Sequence, residues 1–253
     1  MQMQKTKILV TGASGYVGAR LFRDLGEKYD SVGTYFQSSF NENLVQIDIT
    51  DLKSVRTVFE KYKPEFVVHN AAFPVTPQTD EQKEILKKLN YRGVDNVAQV
   101  VNEIGAKLIF ISSAVALNKN DIYGQSKAHG EEVCNKTPGN LIIRPHTVFG
   151  YSPNMVNDRS FNRLLKNVYK KTPAAYDTSW KFQPTYVGHI SSVIAEFVDG
   201  NIHTNLIGVA FETLKSKYNI GKDILENFGI SVTPIDEKST RPTIELDLDF
   251  FSS

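Results

Sequence analysis

Several things are scarce in this sequence. There is one cysteine, Cys134, in 253 residues. An intramolecular disulfide and a zinc site built on several thiolates are therefore both excluded, and the chain suits a reducing compartment. No charge of one sign prevails: 29 Lys and Arg face 28 Asp and Glu. A nucleic-acid or anionic-membrane binder would need a concentrated basic face, so neither partner is expected. No apolar run approaches the length of a membrane span. Met1-Gln2-Met3-Gln4-Lys5 passes straight into Ile8-Leu9-Val10, without the apolar stretch and small-residue cleavage site of a secretory signal. The reading is a soluble, cytoplasmic protein. The five histidines, His69, His129, His146, His189 and His203, show no ligand spacing, and no metal is expected. Repeats and low-complexity tracts are absent, and the terminal Phe250-Phe251-Ser252-Ser253 carries no obvious targeting signal.

What is present is a core. Hydrophobic residues make up 41%, with 15 Phe and 11 Tyr, too many for a disordered chain. The first half alternates short apolar runs with amphipathic stretches. Strands are expected at 7–10, 31–35, 44–47, 65–69, 107–111 and 141–143. Helices are expected at 15–25, 52–62 and 82–103. Strands that are apolar throughout are buried on both faces, and helical crossovers between them imply a parallel sheet. The fold class is α/β, a doubly wound parallel sheet (Rossmann), over residues 1–150. After Gly150 the rhythm changes, with Pro153, Pro173, Pro184, Pro234 and Pro242 cutting the chain into short pieces. Helices at 161–170, 191–198 and 214–228 and a strand at 206–211 suggest a small C-terminal substrate lobe, residues 151–253, with elements returning to the main sheet.

Ile8-Leu9-Val10-Thr11-Gly12-Ala13-Ser14-Gly15-Tyr16-Val17-Gly18 reads as a strand, a glycine turn and a helix start. Gly12 would allow the tight turn, Gly15 the approach of a pyrophosphate, and Gly18 close packing of helix on sheet. Free N–H groups at the helix start would hold the phosphates. The second strand ends in Gly33-Thr34-Tyr35-Phe36-Gln37-Ser38-Ser39. A carboxylate there would select NAD. None is present, and small hydroxyls can receive a 2′-phosphate, so NADP(H) is preferred with NAD(H) also accommodated. Arg20 and Arg23 read as a solvated helix face rather than phosphate ligands. Asp48 either meets the adenine amino group or caps the next helix, a role that Thr50 or Asp51 could take instead.

Ile109-Phe110-Ile111-Ser112-Ser113 ends a strand in two hydroxyls, and Tyr123-Gly124-Gln125-Ser126-Lys127 follows ten residues later. On a helix Tyr123 and Lys127 share a face. A free phenol, with a pKa near ~10, is a poor acid at neutral pH. A neighbouring ammonium would lower it, and a serine from the adjacent strand end would hold a substrate oxygen.

These pieces, with His69-Asn70-Ala71-Ala72, Asn90-Tyr91-Arg92-Gly93 and Arg144-Pro145-His146-Thr147-Val148-Phe149-Gly150, resemble the extended short-chain dehydrogenase/reductases. Pro184-Thr185-Tyr186-Val187, Leu214-Lys215-Ser216-Lys217-Tyr218 and Arg241-Pro242 make the chain most similar to the dTDP-4-dehydrorhamnose reductase branch. The resemblance implies hydride transfer from NADP(H) to the ketone of a nucleotide-linked 4-keto-6-deoxy sugar. It implies catalytic roles for Ser113, Tyr123 and Lys127. The implied cofactor contacts are Gly12, Ser14, Gly15, Tyr16, Val17, Tyr35, Asp48, Ile49, Ala71, Ala72, Tyr123 and Lys127. On the substrate side stand Ser113, Thr76, His146, Thr147 and Trp180, and Asn90 matches a position that supports a proton relay in relatives. A small-molecule nucleotide sugar is the expected partner, and a homo-oligomer is compatible with the family.

The departures are specific. Only Ala114 to Ile122 separates Ser113 from Tyr123, where typical relatives carry a longer loop. Gly188-His189 replaces the usual acid after Tyr186-Val187, and His146-Thr147 replaces the usual aromatic. Two rivals follow: a sugar-nucleotide epimerase or dehydratase of the same superfamily, and a non-catalytic NADP-binding regulatory subunit resembling the beta subunit of methionine adenosyltransferase. Ala114, where a dehydratase carries an acid, argues against a dehydratase.

Overall fold

The computed structural model describes residues 5–118, 120–156 and 159–248; the terminal stretches 1–4 and 249–253, read above for targeting signals, lie outside them. The chain runs β1 (Lys7–Thr11), α1 (Tyr16–Lys28), β2 (Asp30–Tyr35), β3 (Val45–Gln46), α2 (Leu52–Tyr62), β4 (Phe66–His69), α3 (Asp80–Leu86), a π-helical turn (Lys87–Arg92), α4 (Gly93–Glu103) and β5 (Lys107–Ile111). A 3₁₀ turn (Ala114–Leu117), α5 (Ile122–Asn135), β6 (Leu141–Pro145) and β7 (Thr147–Phe149) complete the first half. The second half holds α6 (Ser160–Lys170), β8 (Ala174–Asp177), β9 (Lys181–Phe182), β10 (Pro184–Tyr186), α7 (Val187–Val198), β11 (Leu206–Val209), β12 (Lys215–Ser216), α8 (Lys217–Leu225) and β13 (Val232–Ile235).

Seven strands form one sheet in the order β11-β6-β5-β4-β1-β2-β3, every pair parallel. The alternation of side chains along each strand explains the double burial. Ile8, Val10, Val68, Ile109, Ile111 and Ile143 point to one face, covered by Leu21 and Leu25 of α1 and Ile190, Ile194 and Phe197 of α7. Leu9, Val67, Leu108, Phe110 and Ile142 point to the other, covered by α2, α4 and α5 through Val55, Phe59, Val97, Val101 and Val133. The doubly wound expectation is met. The strand order reverses between β1 and β4, and the crevice at their carboxyl ends is where such sheets take ligands.

Beyond β7 the strands are short. β10 pairs with β7 and β13 with β8, both parallel, while β12 pairs with β9 antiparallel. Leu164, Ala174, Leu225 and Ile230 form a separate small core under α6 and α8. β11 returns to the main sheet beside β6. The expected helix at 82–103 is interrupted by the π-helical turn, which carries Asn90 inward to 2% exposure. The expected helix at 214–228 starts only after Ser216, whose capping box with Asn219 fixes the start. The expected helix at 191–198 begins four residues earlier, at Val187.

Candidate functional site

Gly12 has φ +68°, the left-handed region, and a Cβ there would lie 2.8 Å from the Ala71 Cα. A Cβ on Gly18 would lie 2.1 Å from the Gly12 carbonyl oxygen. Protein packing alone therefore requires both glycines. At Gly15 a Cβ would meet only the Gly12 carbonyl oxygen, at 3.2 Å, so its outer side stays open. Gly15 is also the N-cap of α1 and provides no side-chain cap, leaving the first-turn N–H groups for an anion. Thr11 Oγ1 accepts from the Asn70 and Ala71 N–H groups, both at 3.2 Å, and pins the β4 end against this turn. The cradle fits a dinucleotide pyrophosphate.

On the adenosine side, Tyr35 is half-buried and its carbonyl accepts from Ile47 N at 2.8 Å. Phe36 to Ser39 are exposed and carry no carboxylate. Asp48 Oδ1 accepts from both the N–H and the hydroxyl of Thr50 at 2.8 Å, while Asp51 caps α2 through Lys53 N at 3.0 Å. The capping role thus falls on Asp51. The Ile49 side chain is buried against Gly93 and its carbonyl accepts from Asn96. Arg20 is not on a solvated face: it pairs with Asp24 at 2.6 Å, donates to the Tyr151 carbonyl and lies over the Tyr186 ring. Arg23 is the more exposed of the two, close to Asp24 at 3.0 Å.

A latch closes over this turn. Tyr16 donates its hydroxyl to the Gly150 carbonyl, Ser152 Oγ donates to the Tyr16 carbonyl at 2.7 Å, and Asn154 Nδ2 donates to the Ser14 carbonyl at 2.6 Å. Burial pushes the Tyr16 phenol well above its usual range, so it serves as a fixed donor.

Asp121 caps α5 through Tyr123 N at 3.1 Å and accepts from Thr76 Oγ1 at 2.8 Å. Thr76 therefore anchors the loop after β4 to the start of α5. Tyr123 and Lys127 share a face, as expected. Lys127 is 6% exposed; its Nζ donates to the Ile111 carbonyl at 2.8 Å and lies 5.1 Å from the Phe110 ring centre. Burial pushes Lys127 down to about 8, against the opposing pull of Glu131. The pairing of Lys127 with Tyr123 is looser than the spacing implies. Burial pushes Tyr123 up to about 12, and the downward pull comes from Arg159. The ammonium is 6.0 Å from the Tyr123 ring centre and is directed at the strand carbonyl instead.

Ser113 is half-buried and accepts only a long 3.5 Å contact from Val115 N, so its hydroxyl proton is uncommitted among the described residues. Asn90 is fully engaged: it accepts from Phe73 N at 2.7 Å and donates to the Phe73 carbonyl and to Ser126 Oγ. Ala71 and Ala72 are half-buried at the crevice.

His146 stacks on Phe182 at 5.8 Å, and its Nδ1 accepts from Thr147 N at 2.8 Å. Burial holds its ring below the usual histidine range. Trp180 donates Nε1 to the Pro242 carbonyl at 3.2 Å, with Arg241 over its ring. A cleft of about 400 Å³ opens beside them, lined by Thr147, Phe149, Phe161, Arg163, Tyr176 and Lys217 among others. His146 and Trp180 are not on its wall, while Phe182 is. Sequence reasoning missed this cleft because α6, β8 and α8 build it from residues with no motif. The one usable signal was the aromatic spacing Phe149 to Phe161.

The chain spans 89% of its length and 80% of the relative's in an alignment with the spore coat polysaccharide biosynthesis protein SpsK of Bacillus subtilis (strain 168), at 27% identity. With the methionine adenosyltransferase 2 subunit beta of Xenopus tropicalis it is 23% identical over 76% of this chain and 62% of that one. Among solved structures, dTDP-4-dehydrorhamnose reductase from Bacillus anthracis str. Ames in complex with NADP superposes with a TM-score of 0.80 at 22% identity, covering 100% of this chain and 92% of that one. WbmG of Bordetella bronchiseptica in complex with NAD gives 0.79 at 17% identity, covering 97% and 86%. The family model for the RmlD substrate binding domain matches residues 6–244. On that match the chain belongs to the RmlD substrate-binding family.

Proposed function

We propose that the protein is an NADP(H)-dependent reductase of a nucleotide-linked 4-keto-6-deoxy sugar, with NAD(H) accommodated. The observation that carries this is the meeting, at the carboxyl ends of one parallel sheet, of the Gly15 cradle, Ser113 just after β5 and the Tyr123–Lys127 face of α5. The cofactor, when bound, supplies the hydride. Gly15, whose own N–H closes the turn onto the Gly12 carbonyl at 2.9 Å, leaves room for the pyrophosphate beside Ser14 and the N–H groups of Tyr16 and Val17, and Asp48, the Ile49 backbone and Tyr35 border the adenosine. The hydroxyl at Ser38 receives the 2′-phosphate, while that of Ser39 donates to the Asn41 carbonyl. Ser113 donates to the substrate carbonyl, and Tyr123 gives its proton to the forming alkoxide. Lys127 holds the nicotinamide ribose and steadies the phenolate that remains. The high Tyr123 value keeps the phenol protonated, as a proton donor must be. The aromatic cleft beside Thr147 takes the base of the nucleotide, with Arg163 and Lys217 near its phosphates. His146, Thr147 and Thr76 frame the sugar end, and Trp180 supports Phe182 from behind.

The test is loss of NADPH absorbance with dTDP-4-dehydrorhamnose and a panel of other keto-sugar nucleotides. Tyr123→Phe should cut kcat by about 10²–10⁴-fold while NADPH binding persists. Unchanged turnover in Tyr123→Phe refutes the reading. A second reading, an NADP-binding regulatory subunit, draws support from Lys127 being committed to the Ile111 carbonyl. It predicts tight NADPH binding, no turnover across the panel, and a co-purifying methionine adenosyltransferase.

A further inference from the structure

The two serines that end β5 have opposite surroundings. Ser112, 3% exposed, donates its hydroxyl to Glu131 Oε1 at 2.5 Å. Glu131 is 7% exposed and sits one helical turn beyond Lys127 on α5. Arg144 on β6 grips the same carboxylate with a two-pronged contact, Nε to Oε1 at 2.7 Å and Nη2 to Oε2 at 2.5 Å. Ser112 N also donates to the Ile143 carbonyl at 2.8 Å. One carboxylate therefore joins β5, α5 and β6 directly beneath the ends that carry Ser113, the Tyr123–Lys127 face and His146. Neighbouring residues on extended backbone point to opposite sides, so drawing Ser112 inward turns Ser113 outward. Around Lys127 stand His69 from β4, held neutral by burial, the Phe110 ring and Ile111 carbonyl from β5, and Tyr123 and Glu131 from its own helix. Glu131 is the acidic group among them.

We propose that Glu131 is a positioning residue of this site, selecting Ser113 over Ser112 as the hydroxyl that faces substrate. The proposal rests on the reductase reading, because it assigns Glu131 its role in that reaction. A bidentate Arg–carboxylate pair gives direction as well as energy, and here the third contact, to Ser112, makes it a three-element clamp.

The experiment compares the full chain with Glu131→Gln and Ser112→Ala. Two readouts are used: the pH–rate profile of keto-sugar reduction, and the ¹⁵N Nζ titration of Lys127 in the cofactor-free protein, assigned with Lys127→Met. Glu131→Gln should lower kcat by about tenfold with KM for the sugar nucleotide within about twofold, since it misplaces groups that act in the transition state. It should also move the Lys127 titration lower, since Glu131 pulls that ammonium upward. A lowered melting temperature with kcat per folded molecule and Lys127 titration both unmoved overturns the proposal. Should Glu131→Gln fail to fold, Ser112→Ala decides: it removes one hydrogen bond and leaves the ion pair. A severalfold fall in kcat supports the clamp, and wild-type kcat refutes it. If the wild-type chain reduces no keto sugar, the reductase reading fails, and the Lys127 titration still judges what Glu131 does to its neighbour.

Discussion

His69 is the most exacting test of how the β1 and β4 ends are built. Thr11 Oγ1 accepts two backbone N–H groups, so its own proton goes to His69 Nδ1 at 2.8 Å. The ring proton then sits on Nε2, which is buried without a partner among the described residues. The residue is 1% exposed, stacked 6.0 Å from Phe110, with Lys127 nearby. Burial pushes its pKa from 6.5 down to about 3. Below pH 6.5 the unfolded chain therefore takes up a proton that the folded chain refuses. Stability is complete above that pH and falls as pH drops, at ~1.4 kcal/mol per pH unit. Between pH 7 and pH 4.5 this amounts to about 3 kcal/mol, and to about 4 kcal/mol by pH 3, where the folded ring begins to titrate as well. The perturbation is His69→Asn, which keeps a Thr11 acceptor and does not titrate. Urea unfolding of both proteins at pH 7 and 4.5 cancels the carboxylates they share. The variant should be the less stable at pH 7, having lost the ring stack, and the gap should close by about 3 kcal/mol at pH 4.5. A gap that does not change with pH refutes the account.

Two further outcomes are expected. A Cβ on Gly130 would meet the Phe110 ring at 2.2 Å, so Gly130→Ala should destabilise by about 1–3 kcal/mol through overpacking, read as a lower urea midpoint; an unchanged midpoint contradicts the packing described for α5. Arg159 lowers Tyr123, so Arg159→Gln should raise that phenol further. The reverse, oxidative reaction, which needs the phenolate, should slow at pH 9 while reduction keeps its rate to higher pH. Identical pH–rate profiles would remove Arg159 from the site.

Much of the first half is legible in sequence because its signals are local. Leu9 alternates with Ile8 and Val10, and the three glycines follow at once. Tyr123 and Lys127 declare one helix face. What escaped reading depends on contacts between distant segments. The π-helical turn that carries Asn90 inward leaves the hydrophobic spacing of a long helix almost intact, so the periodicity cannot report it. Ser216 reads as mid-helix until its capping box with Asn219 is recognised. The upward pull on Tyr123 was not readable because spacing shows the nearness of Lys127 and hides both burial and the Ile111 carbonyl. Glu131 lies four residues beyond Lys127, so its shared face was readable, but its partners Ser112 and Arg144 come from two other strands. The cleft lined by Phe161, Tyr176 and Lys217 belongs to the same class, assembled from short strands that proline-rich segments do not announce.

The latch of Gly150, Ser152 and Asn154 onto the glycine turn has a practical corollary for protein engineering. A chimaera that exchanged the C-terminal segment at residue 150 would cut through the bolt itself, separating Asn154 from the Ser14 carbonyl it secures. A graft that preserves the recipient's own residues up to Asn154, and splices before α6, leaves that fastening native, and has then to supply an α7 and a β11 that fit the recipient's main sheet.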